Sequence, residues 1–282
     1  MKPSALIKTT LLMAAMTGLF MGIGTLIGGQ NGALTALIFA TVMNVGMYWF
    51  SGSMVLKMQG AVPLDEKRFP NVRAMVQDIT QKDNLPMPKL YFVETDVPNA
   101  FATGRSPSHA VVAVTAGIMD ILDDKELYAV LAHEIGHVKN YDMLVSTIAA
   151  TLGGAISYLA QIALFFGGND EDSPNPAAAI AMVVLAPLAA SIIQLAVSRT
   201  REFGADDHSK KITSGDGRAL ASALNKLEQI KPQLKDYEPS PAEQTSAHLM
   251  FANMFNAEGL ARLFSTHPST EDRIKRLLDH SK

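Results

Sequence analysis

The chain has 282 residues, room for one or two domains, with 18% charged residues, a net charge of −3 and no cysteine. So small a net charge excludes the electrostatic footprint of a nucleic-acid binder, and the missing cysteines exclude disulfides and thiolate metal ligands. Soluble domains carry about a quarter charged residues; the shortfall here lies in three stretches free of Asp, Glu, Lys and Arg, from Thr9 to Leu56, Met143 to Asn169 and Ser173 to Ser198.

Residues 1–56 predict two transmembrane helices turning at Gly28-Gly29-Gln30-Asn31-Gly32, since a bilayer core takes about 20 apolar residues per helix. A cleaved signal peptide would share the basic start, but hydrophobicity runs on with no polar mature segment, which favours an uncleaved span. The spacing of Gly18, Gly22, Gly24 and Gly28 suits close helix packing, and Asn44 is expected to face a neighbouring helix.

Residues 57–142 read as the first part of a soluble domain. Pro70 to Lys82 predicts an amphipathic helix with Val72, Met75, Val76 and Ile79 on one stripe, ended by Leu85-Pro86-Met87-Pro88. Leu90 to Val93 and Ala110 to Val114 read as strands, with Asn99 to Gly104 as strand or loop between them. Thr115 caps a helix from Ala116, and another helix starts near Asp124 and reaches at least Lys139.

Residues 143–198 predict a second membrane hairpin, helices three and four. Two core helices of a soluble protein are the competing reading, but each run stays apolar on all faces for about 25 residues, which favours lipid. Residues 199–282 then complete the soluble domain, with helices from Arg201 and from Gly217 to Leu227, a proline-broken loop from Lys231 to Gln244, and a tail helix from Thr270 to Leu278 that docks back. The basic flanks Lys2, Lys8, Lys57, Lys67, Arg68, Arg73, Arg199 and Arg201 all fall on one side, whereas the turn between spans three and four carries Asp170, Glu171 and Asp172. Cytoplasmic loops are enriched in Lys and Arg, so both termini are expected inside.

Within this frame stands His133-Glu134-Ile135-Gly136-His137. On a helix the two imidazoles share a face one turn apart, with a carboxylate beside them. That pattern supplies two zinc ligands and a candidate general base, Glu134, but a catalytic zinc needs a third protein ligand and keeps a place for water. The hairpin of spans three and four returns the chain to the face it left, so Glu202, the first carboxylate beyond it, is the third-ligand candidate. Asp206, one turn on, is the candidate acceptor behind a ligand histidine; the reverse assignment, Asp206 on the metal, stays open. Candidate donors to a tetrahedral oxyanion are His267 and Arg273, although His267 in its polar turn also suits a plain surface residue. A peptide substrate is expected along a sheet edge from either Asn99 to Ala102 or Ala110 to Val114. The fold class is therefore mainly α with a small β-sheet: four transmembrane helices plus a cytoplasmic zincin-type metallopeptidase domain.

The strings HEIGHVKNYD, SRTREFGAD, PNAFATGR and STHPSTEDRIKRL resemble the HtpX group of bacterial membrane zinc metalloproteases over nearly the whole chain. The CAAX prenyl endoproteases share the metal motifs but carry more spans than this chain can hold. The resemblance implies one Zn2+ per chain on His133, His137 and Glu202, Glu134 as the catalytic glutamate, Asp206 following the third ligand, and His267 and Arg273 helping at the transition state. It also implies substrate binding near Asn99. The implied setting is the bacterial inner membrane, with an active site in the cytoplasm, polypeptide substrates that are misfolded or damaged membrane proteins, stress induction and partner proteases in quality control. An intramembrane protease of the site-two type fits less well, because Asp123-Asp124-Lys125-Glu126 is too charged for lipid and no Leu-Asp-Gly motif follows. A catalytically silent scaffold would not require Glu134, since a structural zinc closes its fourth position with protein.

Overall fold

The computed structural model describes residues 3–148, 199–234 and 268–279. Of the predicted hairpin of spans three and four, residues 143–198, the part from 149 to 198 lies outside these described residues, as does His267.

Helix α1 (Pro3–Met58) is a helical hairpin. In a straight helix residues 13 and 44 would stand about 46 Å apart at 1.5 Å per residue, yet the Asn44 amide donates to the Met13 carbonyl at 3.4 Å and to Thr17 Oγ1 at 2.9 Å. The Phe20 and Phe39 rings also meet, edge to face. The pivot is Gly29, at φ +58°, a conformation that costs a side-chain-bearing residue and costs glycine nothing. Asn44 thus faces the opposite arm, as its polarity in an apolar stretch demands. Among the described residues one helix, Gly29–Met58, is long and apolar enough to cross a membrane, and only 11% of its most apolar window is buried. The first arm holds a shorter apolar piece, Met13–Gly22. Ile38, Phe39, Val42, Val45, Trp49 and Phe50 all point outward, as side chains bathed in lipid do and core side chains do not.

Strand β1 (Val62–Pro63), helix α2 (Pro70–Lys82), strands β2 (Lys89–Val93), β3 (Ala100–Thr103) and β4 (Val111–Thr115), and helices α3 (Ala116–Ile121) and α4 (Asp124–Asn140) follow. Pro70 opens α2 at its first turn, where no N–H is missed, and Val72, Val76 and Ile79 bury the inner stripe. The Thr115 hydroxyl oxygen caps α3 by accepting from Ile118 N and also accepts from Asn99 N. Asp123 and Glu126 close a capping box at the start of α4, and the Glu126 carboxylate runs on to Lys226 at 2.6 Å and Ser222 at 2.7 Å.

The sheet order is β1-β2-β4-β3, with β2 parallel to β4 and the outer strands antiparallel to their neighbours. Of the two segments proposed for the substrate edge, β4 is paired on both sides; among the described residues β3 presents the edge at that end. Alternation splits the sheet between two walls. Phe92, Ala100, Ala102, Val112 and Val114 pack on α2, α3 and α4, whereas Val93, Phe101 and Ala113 pack on Val55 and Leu56, the last turn of α1. The C-terminal end of the hairpin is therefore one side of the core around the sheet. Val55→Asp would force an unpaired carboxylate into that layer at a cost of roughly 3 kcal/mol or more. A clear fall in the melting temperature of the detergent-solubilised chain is the expected reading.

Helix α5 (Arg199–Ile212) lies along α4; α6 (Arg218–Ile230) and α7 (Thr270–Leu278) close the core over it. Leu220, Leu224 and Leu227 seat α6, while Arg273 and Leu277 are the buried side of α7. The expected docking of the tail is thus what α7 does, with Gly217 at the contact: a Cβ there would stand 2.4 Å from the Leu277 carbonyl oxygen.

Candidate metal centre

Helix α4 presents His133 and His137 one turn apart, and α5 lays Glu202 against them. One ligand-type atom from each lies within 4.8 Å of the others. The two Nε2 atoms are 3.1 Å apart, His133 Nε2 is 3.8 Å from Glu202 Oε2, and His137 Nε2 is 3.6 Å from Glu202 Oε1. Two nitrogens bound tetrahedrally at 2.0–2.1 Å would be separated by about 3.3 Å, so the spacing suits one small divalent ion. This set of two imidazoles and a carboxylate is a zinc-type donor set.

The other ring nitrogens explain why the Nε2 lone pairs converge. His133 Nδ1 lies 2.9 Å from Asp206 Oδ1, and His137 Nδ1 lies 3.4 Å from Asp142 Oδ2. A carboxylate only accepts, so each Nδ1 carries the hydrogen and each Nε2 turns its lone pair inward. Burial, with the Arg273 cation, pulls the His133 imidazolium down to about 4 despite Asp206 beside it. Burial also opposes charge on His137, but Asp142, Glu202 and Glu134 outweigh it and hold that imidazolium up at about 9. The two Nε2 atoms face each other across 3.1 Å, the position a cation would take between them. Glu134, Asp142, Glu202 and Asp206 are buried around Arg201 and Arg273, four carboxyl groups to two guanidinium groups.

Glu134 sits 4% exposed against the edge strand, where the Ala102 N–H donates to its Oε2 at 3.0 Å. Burial raises its carboxyl to about 8; a divalent cation nearby works in the opposite direction. Arg273 places Nε at 2.9 Å from Asp206 Oδ2 and Nη2 at 2.7 Å from Oδ1, a bidentate clamp, with Nη1 3.9 Å from Glu202 Oε2. It thus grips the carboxylate behind His133. Asn99 lies at the start of β3, buried, its backbone exchanging hydrogen bonds with Thr115.

Sequence reading missed three residues here: Asp142, Arg201 and His208. His208 donates from Nδ1 to the Ala132 carbonyl at 2.8 Å and from Nε2 to Asp83 Oδ2 at 2.5 Å, tying α5 to α4 and to the residue that ends α2. Gly136 makes room for its ring, since a Cβ there would stand 3.1 Å from both Cβ and Nδ1 of His208. The glycine inside the pentad was the one local signal that another element passes close by.

The family model for peptidase family M48 matches residues 66–281. A protease HtpX homolog of Burkholderia multivorans is 48% identical over 278 residues, covering 98% of this chain and 97% of that one. Another, from Ralstonia nicotianae, is 50% identical over 274 residues, covering 96% and 95%. The crystal structure of Ste24p from S. mikatae shares the fold with a TM-score of 0.50 at 18% identity; the match takes in 97% of this chain and 65% of the length of that one. Family match, near-full-length identity and a convergent His-His-Glu cluster lead to one conclusion: this chain belongs to the HtpX proteases of peptidase family M48, membrane-associated metalloproteases.

Proposed function

We propose that the chain is a zinc-dependent endopeptidase that cuts misfolded or damaged membrane proteins at the cytoplasmic face of a bacterial inner membrane. The observation that carries this reading is the inward convergence of His133, His137 and Glu202 with Glu134 adjacent. These three residues hold the ion, and Asp206, clamped by Arg273, keeps His133 in the ligating tautomer. When bound, zinc supplies a Lewis acid and an acidified water. Glu134 accepts the proton of the attacking water and returns it to the leaving nitrogen. The Ala102 amide holds one Glu134 oxygen, leaving the other for that exchange. The substrate backbone runs along the outer edge of β3, past Asn99, as an added strand. His267 and Arg273, from one motif, are the candidate donors to the oxyanion.

The same proposal takes the apolar stretches as four spans within residues 1–56 and 143–198, with their inner ends, Val55, Leu56 and Met143, held by the domain core instead of lipid, and residues 57–142 and 199–282 joined in one domain inside. Tyr48 and Trp49, their rings tilted against each other near the end of α1 with Arg105 over the indole at 4.9 Å, have the amphipathic character of a membrane–water boundary. Surface-bound, aberrant membrane proteins are the substrates such a placement reaches.

Metal analysis paired with cleavage of an unfolded membrane protein tests the proposal. Chelation is expected to abolish cleavage and zinc to restore it. Glu202→Ala removes one of three protein ligands and is expected to leave the purified chain without stoichiometric zinc and without activity. Full zinc content in that variant would move the third ligand elsewhere, first to Asp206.

A further inference from the structure

The two ligand histidines are backed in the same order: imidazole, carboxylate, guanidinium. On one side His133 Nδ1 meets Asp206 at 2.9 Å, and Arg273 grips Asp206. On the other His137 Nδ1 meets Asp142 Oδ2 at 3.4 Å, and the opposite oxygen of Asp142 faces Arg201 Nε at 3.9 Å. We infer that Asp142 is a positioning residue for His137, accepting its Nδ1–H so that Nε2 points at the metal, with Arg201 supplying the counter-charge. This rests on the metal-centre reading above and adds the second outer support of that centre.

The path of the chain is the independent argument. Asp142 is five residues beyond His137, and in an unbroken helix it would stand about 140° around the axis from it. It comes back under the ring because α4 stops at Asn140 and Tyr141 adopts φ 62°, ψ 19°. That left-handed conformation costs a non-glycine residue about 1–2 kcal/mol. Strain of this kind persists where surrounding structure over-determines it, characteristically at working sites. Here the turned-back residue is a carboxylate 9% exposed, and an ionised group so placed is expensive unless it is paired. Its partners are His137 and Arg201. The Arg201 side chain is 11% exposed and its Nη1 has no hydrogen-bond partner among the described residues, so the guanidinium serves Asp142 as a charge rather than as a bidentate fork.

Chemically, losing the acceptor frees the His137 hydrogen to move to Nε2, which blocks the ligating lone pair, and frees the ring to rotate. Replacement of such a supporting acceptor typically weakens metal binding about 10- to 100-fold.

The test uses the full chain in detergent. Zinc affinity is measured by competition against a chelator of known affinity, and the ligand-field spectrum is recorded after substitution with cobalt(II), for wild type, Asp142→Asn, Asp142→Ala and His137→Ala. Asp142→Ala is expected to bind zinc about 10- to 100-fold more weakly with an altered cobalt spectrum. Asp142→Asn keeps an oxygen acceptor for Nδ1–H and is expected to fall between Ala and wild type. A purely structural role would lower the melting temperature without moving either metal readout, and wild-type affinity and spectrum in both variants would overturn the inference. Should the alanine variant not fold, the asparagine variant decides by the same readouts. If instead His137→Ala keeps wild-type zinc affinity, the metal-centre reading itself fails, a result separate from the failure of Asp142.

Discussion

Glu134→Gln is expected to lower peptide cleavage by on the order of a thousandfold, within the usual span of general acid–base contributions, while zinc stays bound and the fold is retained. The amide oxygen can still accept the Ala102 N–H, so the contact between the edge strand and α4 survives. Neither the imidazoles nor Glu202 is touched, so metal content should equal that of the wild type. Glutamine has the shape of glutamate, so the buried packing around this position is kept. Cleavage of an unfolded membrane protein, read with metal analysis and a thermal melt on the same preparation, separates the outcomes. Activity retained by Glu134→Gln would remove this residue as the base.

The largest effect on stability is expected from Arg273→Met. Arg273 is 2% exposed and grips Asp206, which is fully buried and itself bonded to His133. Removing one member of a buried ion pair leaves the other charge uncompensated, at about 3–5 kcal/mol. A steep loss in melting temperature is expected, with weakened zinc binding because Asp206 is no longer held behind His133. The double variant Arg273→Met/Asp206→Leu removes both charges and should regain much of the stability, since buried pairs are commonly replaceable by apolar side chains. Zinc affinity should not return with it. Recovery of both would reduce the pair to a packing element.

Local chemistry made much of this fold legible. Pro70 at the head of α2, the Thr115 cap and the stripes of α2 and α7 act within a few residues, and those elements lie where pattern and capping place them. The stretch from Asn99 to Gly104 stayed ambiguous between strand and loop because four residues carry little periodicity; pairing with β4 decides it. Strand β1 escaped notice for the same reason, being two residues long and half proline. At the site, His133, Glu134 and His137 announce themselves by spacing, and Glu202 follows from the return of the chain after the apolar block. The companions do not. Asp142 reaches His137 through a single left-handed residue, and His208 finds Asp83 across 125 positions. Arg273 meets Asp206 over 67 positions, a pairing that neither local spacing nor charge pattern encodes.

Because Val55 and Leu56 wall one side of the sheet, tether and catalyst cannot be parted cleanly. A cut ahead of residue 57 strips the cover from Phe101, the neighbour of Ala102, whose amide steadies Glu134. Loss of the first hairpin and collapse of the catalytic apparatus would then be a single event.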